Sequence, residues 1–172
     1  MFVESGDLHQ EASPVLLIRS LLAAALLPGT VTVVLPWLIV GRGASAGAHW
    51  PGLVLVALGA AILSRCIWEF AVSGRGTLAP VDPPTRLVVS GLYRYVRNPM
   101  YVGVVLILAS EAWVFWSGGL LLYAAGFFLV ANLFIVFHEE PALRRKFGES
   151  YAEYTRRVPR WVPKVIRRTP QD

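Results

Sequence analysis

The sequence predicts an all-α, polytopic membrane protein with four or five transmembrane helices and a C-terminal cytoplasmic amphipathic segment. Three observations carry this. At 172 residues, 55% of them hydrophobic and with a mean hydropathy of +0.55, the chain is too apolar for an ordinary soluble domain. The apolar residues fall in blocks of the length a bilayer demands. The basic residues gather in two segments separated by an apolar hairpin.

Residues 15–40 form the first block, interrupted by Pro28-Gly29 and again at Pro36. As one helix it would run about 39 Å at 1.5 Å per residue, against a hydrocarbon core of about 30 Å. It must tilt, kink at Pro28 or divide in two. A cleaved signal peptide is not expected, because the block is too long and residues 1–14 hold no Lys or Arg. Residues 51–73 form the second block, with Pro51 placed for a first helical turn. Residues 99–116 and 118–137 form the third and fourth. Ser117-Gly118-Gly119 joins them as a tight turn, so they should pair as an antiparallel hairpin.

Orientation follows from charge. The segment 74–98 carries Arg75, Arg86, Arg94 and Arg97, and the tail after Glu140 carries nine more basic residues. A hairpin separates the two segments, so both lie on one side, which the positive-inside rule makes cytoplasmic. The loop 41–50 holds only Arg42 and should lie outside. The net charge of +5 thus hugs the membrane, where anionic membrane lipid is the natural partner and nucleic acid is not. Cys66 is the single cysteine and His9, His49 and His138 are scattered, so neither a disulfide nor a metal site is expected. The excess of arginine over lysine points to a GC-rich bacterium, hence a bacterial cytoplasmic membrane.

Three polar clusters converge on the cytoplasmic face. Gly74 and Gly76 lie in a loop after the second block, where glycine lets backbone approach a ligand, though taken alone a helix cap and turn is the commoner explanation. Residues 85–101 follow, with an extended or turn segment at Leu87, Val88 and Val89 and then Tyr93, Arg94, Tyr95 and Arg97 as an interfacial belt. Pro99 begins the next helix, whose free N–H groups sit at a positive dipole end suited to a carboxylate. The third cluster is His138-Glu139-Glu140-Pro141. Pro141 should bend or restart the helix. Adjacent glutamates on a helix diverge by about 100°, so one is free for ribose hydroxyls while the other pairs with a basic neighbour. Acids at a helix C-terminus oppose the macrodipole, which favours a functional reading. Arg65 and Glu69, four apart within the second block, either line an acceptor pocket or form a buried ion pair. Glu111 should sit wet at the outer end of its helix.

These clusters in this order resemble the membrane-embedded methyltransferases that include isoprenylcysteine carboxyl methyltransferase and phosphatidylethanolamine N-methyltransferase. The resemblance spans roughly residues 73–163. It rests on Leu87-Val88-x-x-Gly91-x-Tyr93 leading to Arg97-Asn98-Pro99-x-Tyr101-x-Gly103, on Glu139-Glu140, and on Phe147-Gly148-x-x-Tyr151-x-x-Tyr154-x-x-x-Val158-Pro159. It implies one domain over 1–172: N-terminal helices at 15–73, a cofactor-binding core at 74–163 and a basic tail at 164–172. It also implies S-adenosylmethionine as cofactor, bound from the cytoplasm, and a lipophilic methyl acceptor. Carried over by position, the cofactor contacts are Thr85, Arg86, Leu87, Val88, Tyr93, Asn98, Pro99, Met100, Tyr101 and Glu139, with Glu140 beside them. Gly74 and Gly76 resemble a glycine pair of the phospholipid branch, and Arg65 and Glu69 are the candidates for acceptor binding.

Two departures matter. The family's usual Arg-His-Pro reads Arg97-Asn98-Pro99, which removes imidazole proton chemistry while keeping a hydrogen-bonding side chain. Ile135 stands where the prenylcysteine enzymes keep an arginine, which disfavours that acceptor. Two rivals stand beside this reading. Membrane sterol reductases using NADPH have a similar C-terminal pattern, but a 2′-phosphate would want arginines where Glu139 and Glu140 lie. A non-catalytic membrane protein leaves the convergent polar clusters unexplained.

Overall fold

The computed structural model describes residues 26–41, 50–69, 87 and 89–163, and every regular element among them is helical. In chain order these are α1 (Leu26–Val40), α2 (Trp50–Glu69), α3 (Pro99–Val114), α4 (Gly118–Phe134) and α5 (Glu140–Arg157). A 3-10 turn, Gly91–Arg94, precedes α3, and a π turn, Ile135–Glu139, joins α4 to α5. Among the described residues, two helices are long and apolar enough to cross a membrane: α2, and the helical run Gly118–Arg157, which is kinked at Gly148. α1 and α3 are shorter apolar helices. Gly74, Gly76, Thr85, Arg86, Val88, the start of the first apolar block and the basic tail lie outside the described residues.

The prolines do not break these helices as their chemistry suggests. Pro28-Gly29 and Pro36 lie inside α1, and the chain stays helical across Pro141. In both places a π turn ends two residues before a proline, Thr30–Val34 before Pro36 and Ile135–Glu139 before Pro141. Proline has no N–H for the carbonyl four residues back, and its ring crowds that carbonyl. Opening the turn to an i−5 ladder relieves both problems. The bonds Leu35 N–H to Thr30 O and Glu140 N–H to Ile135 O do this. In α1 the Thr30 and Thr32 hydroxyls donate back to the Leu26 and Pro28 carbonyls four residues earlier. The real break in the last helix comes at Gly148, whose φ of +53° and ψ of −127° are non-helical.

α2 and α3 pack most extensively, and glycines set their spacing. A Cβ on Gly59 would lie 2.9 Å from the Gly103 carbonyl oxygen, and one on Gly52 would meet a Val114 methyl at 2.5 Å. Two helices in hydrocarbon gain nothing from burying apolar surface against each other, so backbone-to-backbone contact through small residues supplies the attraction. α3 then turns back through Phe115 and Trp116 into α4, as an antiparallel hairpin requires. Ser117 caps α4 by accepting from the Leu120 N–H at 3.3 Å. Leu108 and Val104 of α3 pack with Ala124 of α4, and Val31 of α1 closes that cluster. Tyr123 of α4 donates from its hydroxyl to the Val31 carbonyl at 3.1 Å, tying α1 to the hairpin.

Candidate active site

At the α3 N-terminal end of the bundle, polar side chains from four segments meet. Glu69 ends α2 almost fully buried, in an ion pair with Arg65, and accepts from the Ser90 hydroxyl at 2.6 Å. Gly91, at φ +53°, lies so close that a Cβ there would meet the Glu69 carboxylate. Both the left-handed backbone and the close approach call for glycine. The Arg65–Glu69 pair thus holds the turn that leads into the 3-10 segment.

Tyr93 of that segment is buried against Cys66, with Ile62, Leu92 and Met100 around them. Burial pushes the Tyr93 hydroxyl well above its ordinary pKa, so it stays neutral. Its carbonyl accepts from the Tyr154 hydroxyl at 2.8 Å, which docks α5 on the segment.

The two glutamates diverge as their helical spacing demands. Glu140, buried at 8% exposure, accepts from Arg97 Nη1 at 2.9 Å, Arg160 Nε at 2.8 Å and Arg160 Nη2 at 3.0 Å. These are charge-assisted bonds, and the Arg160 pair is bidentate. The Glu140 hydrogen bonds hold the Arg160 guanidinium charged even more firmly than usual. Backbone bonds reinforce the clamp: the Arg97 N–H donates to the Pro159 carbonyl at 2.9 Å, and Asn98 Nδ2 reaches the Arg160 carbonyl at 3.4 Å. Trp161 donates from its ring N–H to Asn132 Oδ1 at 3.2 Å and lies against Phe128, fixing the strap 158–161 to α4. Arg97 Nε is buried with no hydrogen-bond partner among the described residues.

Glu139 lies beside this clamp and outside it. Among the described residues its one hydrogen bond is a long one, from the Tyr101 hydroxyl at 3.4 Å. The start of α3 is similarly uncommitted: Asn98 makes no side-chain cap bond, and Pro99 has no N–H to satisfy. Tyr93, Asn98, Pro99, Met100, Tyr101, Glu139 and Glu140 are therefore brought together. The Met100 side chain packs on Cys66 and Tyr93. Leu87 is half-buried at the segment's edge. Sequence reasoning missed Arg160 and Asn132. A basic residue beside the Val158-Pro159 motif was the available signal for the first, and a lone amide in an apolar helix for the second.

The described residues form an apolar helical bundle with buried polar groups gathered at one end. The phospholipid methyltransferase family pattern matches residues 48–150, and the chain belongs to that family. The Protein-S-isoprenylcysteine O-methyltransferase of Xenopus laevis is 32% identical over 123 residues, covering 65% of this chain and 39% of the frog protein. An uncharacterized protein of Haemophilus influenzae is 40% identical over 65 residues, 37% of this chain and all of that protein. The chain therefore spans about two fifths of the frog relative.

Proposed function

We propose that this protein is an S-adenosylmethionine-dependent methyltransferase of the bacterial cytoplasmic membrane acting on a lipophilic acceptor, with its cofactor site facing the cytoplasm. The observation that carries the reading is the split between the two carboxylates. Glu140 is saturated by two arginines, whereas Glu139 keeps lone pairs for a ligand a few ångströms away.

The groups left over suit that cofactor. Glu139 has acceptors for a ribose diol, the unpartnered Arg97 Nε has a donor for an anion, and the N–H groups at the start of α3 favour a carboxylate. When bound, S-adenosylmethionine supplies a sulfonium methyl for in-line displacement. The chain's own work is to bind, orient and exclude water, which can supply much of the barrier reduction. Tyr93 and Tyr101, with the strap 158–161, close the site on the water side. The acceptor reaches it from the bilayer. The Arg65–Glu69 pair acts here by holding the Ser90–Gly91 turn in place, so its bearing on the acceptor is indirect.

Four helices crossing the membrane, with loop 74–98 and α5 cytoplasmic, is the topology that goes with this reading. The buried, aliphatic Ile135 offers no cation of its own to a prenylcysteine carboxylate, so the acceptor head group is neutral or cationic, or is met elsewhere in the chain.

Calorimetry with S-adenosylhomocysteine tests the assignment. Glu139→Ala should weaken binding by about 1.5–3 kcal/mol, the worth of hydrogen bonds to a charged group, and Glu139→Gln by less. Unchanged affinity in the alanine variant removes Glu139 from the site. NADPH binding in place of adenosylhomocysteine would turn the reading toward a reductase.

A further inference from the structure

The other end of α3 carries a second polar feature that the proposed reaction does not use. Glu111 was expected to be wet, and it is half-buried. It lines a cleft of about 470 Å³ with Val33, Pro36, Trp37, Val40, Gly41 and Phe115, and its Oε2 is buried with no hydrogen-bond partner among the described residues. The nearby Tyr123 hydroxyl gives its one proton to the Val31 carbonyl, so it offers Glu111 none. Glu111 lies ten residues beyond Tyr101, about 15 Å along the helix axis, and so is outside the site described above.

Among the described residues, everything polar about this cleft has one sign. Val40 and Gly41 bring the C-terminal end of α1, and Glu111 and Phe115 bring that of α3, each the negative pole of its helix. The carboxylate adds a full charge. A carboxylate in such a place is expensive unless a cation or a donor meets it. Trp37 and Phe115 supply aromatic walls, and an indole face is the best of the natural rings for a cation. Trp37 is 56% exposed, so one wall opens outward.

We infer that this cleft binds the ammonium group of an amphiphile, pairing it with Glu111 and seating it against Trp37 and Phe115 while the alkyl chain lies along the exposed apolar face of α1. The chemistry recognised is an alkylated or protonated amine. Its source is a membrane lipid, whose chain the exposed apolar face of α1 would seat.

The full chain, purified in maltoside micelles, should bind dodecyltrimethylammonium saturably, read by tryptophan fluorescence and native mass spectrometry. Glu111→Gln should weaken that binding at least tenfold, a change of about 1.4 kcal/mol. Trp37→Leu, which keeps the apolar bulk, should weaken it about threefold, and it keeps the proposal testable if Glu111→Gln fails to fold. Glu139→Ala should leave it unchanged. Tetramethylammonium should bind at least tenfold more weakly, and equal binding would overturn the seat inferred for the alkyl chain. No saturable binding by the wild-type chain, or equal binding by Glu111→Gln, overturns the proposal. So does a matched loss of melting temperature in Glu111→Gln and Arg42→Gln without ammonium binding, since Glu111 would then serve as an internal ion-pair partner.

Discussion

Replacing Glu140 by glutamine should loosen the strap that closes the site. The carboxylate takes three hydrogen bonds from two guanidinium groups, one of them on a side chain only 13% exposed and the other on a side chain 31% exposed. Glutamine keeps one acceptor oxygen, so the bidentate bond to Arg160 is lost and two cations remain close together without an anion. Removing one partner of a fully buried pair costs about 3–5 kcal/mol. Arg160 is partly solvated and its share must be discounted, which leaves about 2 kcal/mol for Glu140→Gln. The cost falls on the contact between the strap and the rest of the protein. Limited trypsin digestion after Arg157 or Arg160 therefore reads it. If cutting requires a transient opening, 2 kcal/mol corresponds to about thirtyfold faster cleavage. A double-mutant cycle with Arg97→Gln should return a coupling of about 1–2 kcal/mol between the two positions. Cleavage within threefold of wild type, or no coupling, would refute the clamp.

Three further outcomes follow from the same geometry. Gly59→Ala puts a methyl against the Gly103 carbonyl and the Ile107 backbone, so α2 and α3 must part and stability should fall by about 1–3 kcal/mol, measured by unfolding in mixed micelles; an unchanged midpoint would show that the interface gives easily. A cysteine at Ser45 should react with an impermeant maleimide on intact cells and one at Ser150 only after lysis, and the reverse pattern would invert the protein. A farnesylcysteine analogue should be a poor methyl acceptor, and its efficient methylation would overturn the argument from Ile135.

What the sequence disclosed depended on whether a feature was local. The hairpin of α3 and α4 was legible because two apolar runs flank Ser117-Gly118-Gly119, and the Ser117 cap needs nothing from elsewhere. The divergence of Glu139 and Glu140 was legible for the same reason, since helical spacing alone separates them. The prolines misled because proline chemistry fixes which bond is lost and not how a helix absorbs the loss. The widened turns before Pro36 and Pro141 answer that question only in three dimensions. Gly52 and Gly59 meant nothing until Val114, Ile107 and Gly103 stood opposite them. Glu111 was misjudged because its surroundings come partly from α1, more than 70 positions away in the chain. Arg160 escaped attention because its partner lies 20 residues upstream.

The widened turn at Ile135–Glu139 also acts as a phase device. It holds one residue more than an ordinary turn, so everything from Glu140 onward is set back by about 100° relative to an uninterrupted helix. Deleting one residue there and replacing Pro141 with alanine would give a smoother helix with a better hydrogen-bond ladder. Glu140 would then swing away from Arg97, and the strap would lose its anchor although no charged residue had been touched. In this protein a locally improved helix would be a globally misaligned one, and a one-residue gap at this point in an alignment would mark a rotated site.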